Sequence, residues 1–410
     1  MRIIPVSSGK GGVGKTTFAL NFSLALGRTQ RTVLIDLDTG TSSLRNAIHQ
    51  PVDKDLYHFI RKGATIEECL HPLGPSLDPD RVFTGFQYLP SPKNFIHDIV
   101  NFSGPVKDRI IEGINSLRAD FVILDLKAGL DSSVLDFLPY TNSGIILFTP
   151  KVRAATITAA EMAKAVLLRM LRLLFRTRGK VARAFPVFRE VDPALFSLFI
   201  DVLEDAYDDE VKNVDDFLSQ IAEHLPDPAF LGMLQRIVAR YGIYFVLNQF
   251  NSVEESADQV IKPFMETLHQ TVSTRLQASN LGWVATSEEI QRATEIGIPF
   301  LVLRHYDRKA RVQQEASLDN RLRDICGLQK RGGGEIGRKE THDAISNHID
   351  LLHKMYLQGG SRDPEMNFAA IADRTRAIAD YTIHEFGMKR LHSEAEFAEH
   401  FLAEPMMGEG

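Results

Sequence analysis

The sequence runs to 410 residues, 44% hydrophobic and 24% charged, with a formal net charge of −6. This balance gives an ordinary globular chain with ample core, longer than a usual single domain, and it excludes a uniformly basic nucleic-acid binder while allowing a local basic patch. Cys69 and Cys326 lie far apart and form no C-x-x-C pair, which excludes a disulfide framework and leaves no obvious ligand set for zinc or an iron–sulfur cluster. With no uninterrupted apolar run of about 18 residues, and no charged-then-apolar leader after Met1-Arg2, a cytoplasmic protein is expected.

In chain order, Ile3, Ile4 and Val6 read as a short buried strand, Gly9, Gly11, Gly12 and Gly14 as a loop, and Lys15-Thr16-Thr17-Phe18-Ala19-Leu20 as the opening of a helix. Glycine allows positive φ and close approach of backbone N–H groups to a polyanion, and a helix N-terminus adds unpaired donors and partial positive charge. Gly9, Gly14, Lys15 and Thr16 fit the G-x-x-x-x-G-K-[ST] pattern, in which the lysine reaches the β and γ phosphates and the hydroxyl of Thr16 binds Mg²⁺. Nucleotide binding is therefore expected at Gly11, Gly12, Val13, Gly14, Lys15, Thr16 and Thr17.

Lys10 is a residue that an ordinary phosphate loop does not require. The string Ser8-Gly9-Lys10-Gly11-Gly12-Val13-Gly14-Lys15-Thr16-Thr17 resembles the deviant Walker A motif of the MinD/ParA superfamily of ATPases. The resemblance implies a nucleotide-sandwich dimer in which Lys10 crosses to the partner's nucleotide; a solvated loop lysine is the alternative.

Arg31 to Asp38 reads as a second buried strand ending in carboxylates, and carboxyl ends of strands in a doubly wound sheet are where ligands bind. The segment Ile35-Asp36-Leu37-Asp38-Thr39-Gly40 resembles the family's switch I, which implies that Asp38 orients or activates the attacking water and that Asp36 supports the Mg²⁺ shell. Turn or helix-cap roles are the plainer reading of both acids. Residues 50–105 suggest short helices at Asp53 to Arg61 and Thr65 to Leu70 and a strand at Phe86 to Pro90, without assignable chemistry. After a helix over Val106 to Leu117, Asp120 to Asp125 reads as a third buried strand. It looks like Walker B, with Asp125 on the Mg²⁺ side, and Asp125-Leu126-Lys127-Ala128-Gly129 resembles the family's D-x-x-A-G switch II. Gly129 would let that loop approach the γ-phosphate. Lys127 is either solvated or in contact with phosphate or a partner.

Gly144 to Pro150 is another buried strand, followed by a helix from about Thr156. Lys164, Arg169, Arg172, Arg176, Arg178, Lys180 and Arg183 then occur without one acid, interleaved with leucines. Such a stretch suits an anionic membrane, nucleic acid or an acidic partner. Pairing with the acidic segment Glu190 to Asp227 of the same chain, as a helical insertion folded on itself, is the favoured reading. Ile243 to Asn248 resumes the sheet, and Asn248 resembles the family's adenine-contacting asparagine. Asn280 to Ala285, the helix Ser287 to Glu295 and the turn Gly297-Ile298-Pro299 resemble the end of the family fold, so the resemblance covers about residues 1–160 and 240–305. Helices are expected at Arg308 to Leu328, Thr341 to Leu357 and Pro364 to Leu391, with a joint at Lys330 to Glu335 and an acidic tail unlike a basic membrane helix.

The expected fold is α/β, a mostly parallel twisted sheet flanked by helices of P-loop NTPase type, with a helical insertion and a helical C-terminal extension. Residues 1–163 and 240–305 form the ATPase domain, 164–239 the insertion, basic then acidic, and 306–410 the extension. The resemblance implies ATP and Mg²⁺ as cofactors and slow, partner-stimulated hydrolysis of ATP to ADP and phosphate. It further implies an ATP-dependent homodimer that positions or partitions an intracellular cargo, recruited to nucleoid, membrane or a polar structure. The alternative is a nucleotide-dependent adaptor whose helical additions hold a partner, with little hydrolysis.

Overall fold

The computed structural model describes residues 1–39, 43–93, 102–129, 132–139, 141–150, 152, 154–176, 193–204, 213–225, 227–315, 348–350, 362–381, 386–392 and 396. Gly40, Arg178, Lys180, Arg183, Asp205, Asp208, Asp209, Glu210, the joint at 330–335 and residues 397–410 lie outside the described residues.

Strands β1 (Arg2–Ser7), β2 (Thr32–Asp36), β3 (His71–Pro72), β4 (Phe86–Leu89), β5 (Phe121–Asp125), β6 (Asn142–Phe148), β7 (Gly242–Phe250) and β8 (Gln277–Ala285) form one sheet in the order β3-β4-β2-β5-β1-β6-β7-β8. Only the short edge pair β3 and β4 is antiparallel. A parallel sheet needs cover on both faces, and the strands supply an apolar residue to each in turn. Ile4, Val6, Leu34 and Ile123 point to one side, while Ile3, Val33, Ile35, Val122 and Leu124 point to the other.

Among the helices are α1 (Lys15–Gly27), α2 (Ser43–Ala47), α3 (Leu56–Arg61), α4 (Gly104–Ser116), α5 (Ser132–Leu135), α6 (Ala154–Arg176), α7 (Pro193–Glu204), α8 (Val214–His224), α9 (Pro228–Arg240), α10 (Lys262–Thr271), α11 (Glu288–Ile296), α12 (Phe300–Glu315) and α13 (Pro364–Tyr381). Helices α1, α12 and α13 share the first cluster, with Phe18 6.0 Å from Phe368, ring centre to ring centre. Helices α3, α4, α6 and α10 share the second.

Helix α6 runs unbroken across the expected boundary at 163/164, with Ala159, Ala163, Leu167 and Leu171 all buried in the sheet-side core. Its Phe175 meets Phe199, Phe217 and Phe230 of α7, α8 and α9 edge-on or tilted at 5.4 to 6.1 Å, so the insertion is joined by aromatic packing, as the apolar half of the folded-on-itself reading requires. Two of the described charges reach outside the insertion. Arg169 is nearly buried and pairs at 2.6 Å with Asp136, just after α5, where Lys107 of α4 also pairs. Asp215 of the acidic segment accepts from Ser273 and Thr274 in the loop before β8. Arg169 is thus spent on an internal carboxylate, which removes it from the basic face expected to meet a membrane or nucleic acid.

Within the C-terminal extension, helix α13 and the irregular segment 386–392 both pack onto the sheet domain. Asn367 accepts from the backbone N–H of Ala285 at the end of β8, and Glu365 pairs with Arg28, just after α1, at 3.0 Å. Further on, Met388 and Ile3 exchange backbone hydrogen bonds of 2.7 and 2.9 Å on the edge of β1 that β6 reaches only at Val6 and Ser7. Gly387 makes that approach possible, having φ +69 and room for no side chain, since a Cβ would lie 2.4 Å from the Ile3 carbonyl.

Candidate nucleotide-binding site

Strand register assembles the site. Val6 of β1 stands opposite Asp125 of β5, and Asp125 opposite Asp36 of β2, so the loop after β1 leaves the sheet beside two buried carboxylates at neighbouring strand ends. This is the carboxyl edge of a doubly wound sheet, where β1 departs between β5 and β6. The loop turns through Gly12 at φ +83 and Gly14 at φ +82, left-handed conformations that glycine adopts without strain. Gly14 caps α1 with no side-chain hydrogen bond, and the first turn of α1 contains no acid, which leaves its N–H groups for an anion. Gly9 is fixed by packing instead, because a Cβ there would meet Ala155 and Thr158 of α6 at 2.7 Å.

Lys15 lies in the centre. Its Nζ donates to Asp125 Oδ1 at 2.7 Å and stands 4.0 Å from Asp38 Oδ2. Burial pulls the ammonium's pKa down, but Asp125, with smaller help from Asp38 and Asp36, outweighs it and holds Lys15 above its usual value. Asp36 is fully buried, and burial together with the Asp125 charge pushes it up to about 7, against the lowering effect of the Ser91 hydrogen bond. Both Asp36 oxygens have partners: Oδ2 accepts from Ser91 Oγ at 2.9 Å and Oδ1 from the backbone N–H of Asp38 at 3.0 Å. Asp36 thereby ties the backbone of Asp38 to Ser91.

The raised value of Asp36 sets a pH dependence. The unfolded chain releases this proton near pH 4 while the folded chain keeps it to about pH 7, so the stability it contributes is full below the unfolded value and is lost as pH rises through about 7. The melting temperature of the ligand-free protein should fall between mildly acidic and mildly alkaline buffer, and Asp36→Asn should flatten that fall. Equal slopes for the two proteins would count against the assignment.

The residues fit a Mg²⁺ ion that arrives with phosphate. Asp125 Oδ2 is buried without a hydrogen-bond partner. Among the described residues no group of three or more His, Cys, Asp or Glu is placed to hold a metal alone. Magnesium commonly takes one or two carboxylates and completes its shell with phosphate oxygens and water.

The segment after β5 is tied to the loop as well: the Gly129 N–H donates to the Ser8 carbonyl at 3.0 Å, with Gly129 at φ +100. Lys127 is half-buried beside it, and Lys10 is exposed on the rim. Asn248 of β7 donates through Nδ2 to the Val13 carbonyl at 2.7 Å and fills the space a Cβ on Gly14 would need. It also lines a cleft of about 360 Å³ running from Gly14 and Thr17 to Ala285, Ile290 and Phe368. The register brings together Lys15, Asp36, Asp38 and Asp125, and the cleft adds Asn248. Reading the sequence missed Ser91, although Leu89-Pro90-Ser91-Pro92 does follow a recognisable strand. It also missed Phe368, which no local pattern connects to Phe18.

The fold and site define a P-loop NTPase-type protein. A protein-family model described as an AAA domain matches residues 1–166. The septum site-determining protein MinD of Synechocystis is 30% identical over 154 residues, covering 37% of this chain and 55% of that protein. MinD of Escherichia coli K12 is 29% identical over 154 residues, covering 37% and 54%. The chain thus spans about half the length of these relatives. The solved structure of MinD complexed with Mg-ADP from Pyrococcus horikoshii is 17% identical, covering 73% of this chain and 87% of that one, with a TM-score of 0.41. The chain is thus similar to an AAA-domain family over residues 1–166 and to MinD proteins over 154 residues. Among the described residues no helix is long and apolar enough to cross a membrane.

Proposed function

We propose that the protein is an ATP hydrolase whose nucleotide state switches it between monomer and dimer, and that this switch positions or partitions an intracellular cargo. The observation that carries the reading is the placement of Lys15 between Asp125 and Asp38 at the head of a glycine loop with two left-handed turns. In this reading the loop N–H groups and Lys15 hold the triphosphate, and Lys15 exchanges Asp125 for phosphate oxygens. Thr16 and the open oxygen of Asp125 would hold Mg²⁺, which supplies charge neutralisation for the phosphates. Asp38, oriented through Asp36, receives or aligns the attacking water. Asn248 and the adjoining cleft take the base.

Support for the dimer comes from the rim. Lys10 is exposed, and α6, whose first turn touches Gly9, carries Ile157 half-exposed within that turn. A lysine beside uncovered apolar surface suits a second copy of the same face. That the relatives are septum site-determining proteins supports a role in intracellular positioning, with a protein partner or activator and recruitment from the cytoplasm to nucleoid, membrane or a polar structure. Phosphate release from ATP should require Mg²⁺ and rise when the natural partner is added. Tight ATP binding with no release under either condition would favour the adaptor reading instead.

A further inference from the structure

Asp36 is backed by side chains outside the glycine loop and both switch segments' acids. Ser91, fully buried after β4, donates its hydroxyl to Asp36 Oδ2. The Ser91 carbonyl accepts from Arg45 Nε at 3.0 Å, and the other arm of the same guanidinium donates to Asp55 Oδ2 at 2.5 Å. Asp55 is itself anchored, its Oδ1 capping α3 by accepting from the backbone N–H groups of Tyr57 and His58. One path of hydrogen bonds therefore runs from the cap of α3 through Arg45 and Ser91 to Asp36, and from the far oxygen of Asp36 to the backbone of Asp38.

We propose that Arg45 and Ser91 are positioning residues for ATP hydrolysis: they fix the Asp36 carboxylate and, through it, the placement of Asp38. This rests on the hydrolase reading above. Three features separate the role from plain scaffolding. The cap of α3 is complete through Asp55 Oδ1, so the second oxygen is free to serve as an anchor for Arg45. The planar fork of Arg45 spans two acceptors from different segments, which fixes the angle of the Ser91 backbone as well as its distance. Ser91 presents its hydroxyl to the one carboxylate that also holds Asp38. A rate that depends on the alignment of Asp38 is sensitive to displacements far smaller than those that loosen binding, because Lys15 and the loop hold the phosphates independently of this path.

The test uses the full chain, with hydrolysis and ATP affinity measured for Ser91→Ala, Ser91→Thr, Arg45→Ala and the double Arg45→Ala/Ser91→Ala. The proposal expects kcat to fall about 10- to 100-fold in Ser91→Ala and Arg45→Ala, with KM and ATP affinity within about twofold of wild type and Ser91→Thr restoring most of the rate. Because both act along one path, the double variant should be no slower than the slower single one. Wild-type kcat in Ser91→Ala overturns the proposal, as do losses that multiply in the double variant. Should Arg45→Ala not fold, the comparison of Ser91→Ala with Ser91→Thr decides alone. Hydrolysis by wild type with unaltered variants defeats only the positioning role, whereas a wild type that turns over no ATP defeats the hydrolase reading with it.

Discussion

Lys15→Ala should lose ATP binding by at least about 100-fold, which is about 2.8 kcal/mol, and with it all phosphate release. The ammonium lies at the head of the glycine loop, 2.7 Å from Asp125 and 4.0 Å from Asp38. The substitution also leaves Asp36, Asp38 and Asp125 facing one another without their buried counter-charge. Removing one member of a buried pair costs about 3–5 kcal/mol when the other stays charged. Here Asp36, already raised by burial and by Asp125, takes up a proton more readily and offsets part of that cost. Lys15→Ala should accordingly be folded but less stable, and its stability should fall with rising pH more steeply than that of wild type. Isothermal titration with ATP and thermal melts across pH measure the two effects separately. Retained affinity would place the triphosphate elsewhere.

Asp38→Ala should have the opposite division of effects. Its side chain is partly open, stands 4.0 Å from Lys15 and shares no hydrogen bond with the glycine loop, so ATP affinity should stay within a few-fold of wild type. Hydrolysis should fall about 10²- to 10⁴-fold, the range for removal of a group that handles the proton of the attacking water. Single-turnover phosphate release gives the comparison, and equal rates for Asp38→Ala and wild type would remove Asp38 from the chemistry.

Much of this site was legible because buried parallel strands announce themselves. Ile3 to Val6, Val33 to Asp36 and Val122 to Asp125 are near-continuous apolar runs, the first leading into the glycine loop and the other two ending in acids that a fully buried strand would not tolerate without a task. The glycines after β1 are free to take positive φ, and Gly12 and Gly14 do so. The insertion was harder to read because charge pattern along a helix does not say what lies opposite. Seven basic residues without an acid look like an exposed face, yet Arg169 meets Asp136, a partner more than thirty residues upstream and past a strand. The same holds for α13. Its pattern is that of any amphipathic helix, and only the fold shows that Phe368 reaches Phe18 and the cleft beside Gly14. Ser91 and Arg45 belong to this second kind, since their importance comes from which carboxylate they face.

The account depends most on two lysines, Lys15 from within and Lys10 from the partner, holding one triphosphate. Light scattering on Asp38→Ala with ATP and Mg²⁺ tests this most directly, because blocked turnover keeps the nucleotide whole. The account predicts twice the 46.0 kDa of one chain, returning to a single chain's mass when ATP is replaced by ADP or when Lys10→Ala is added. A mass of one chain under all three conditions, with ATP binding intact, would contradict it.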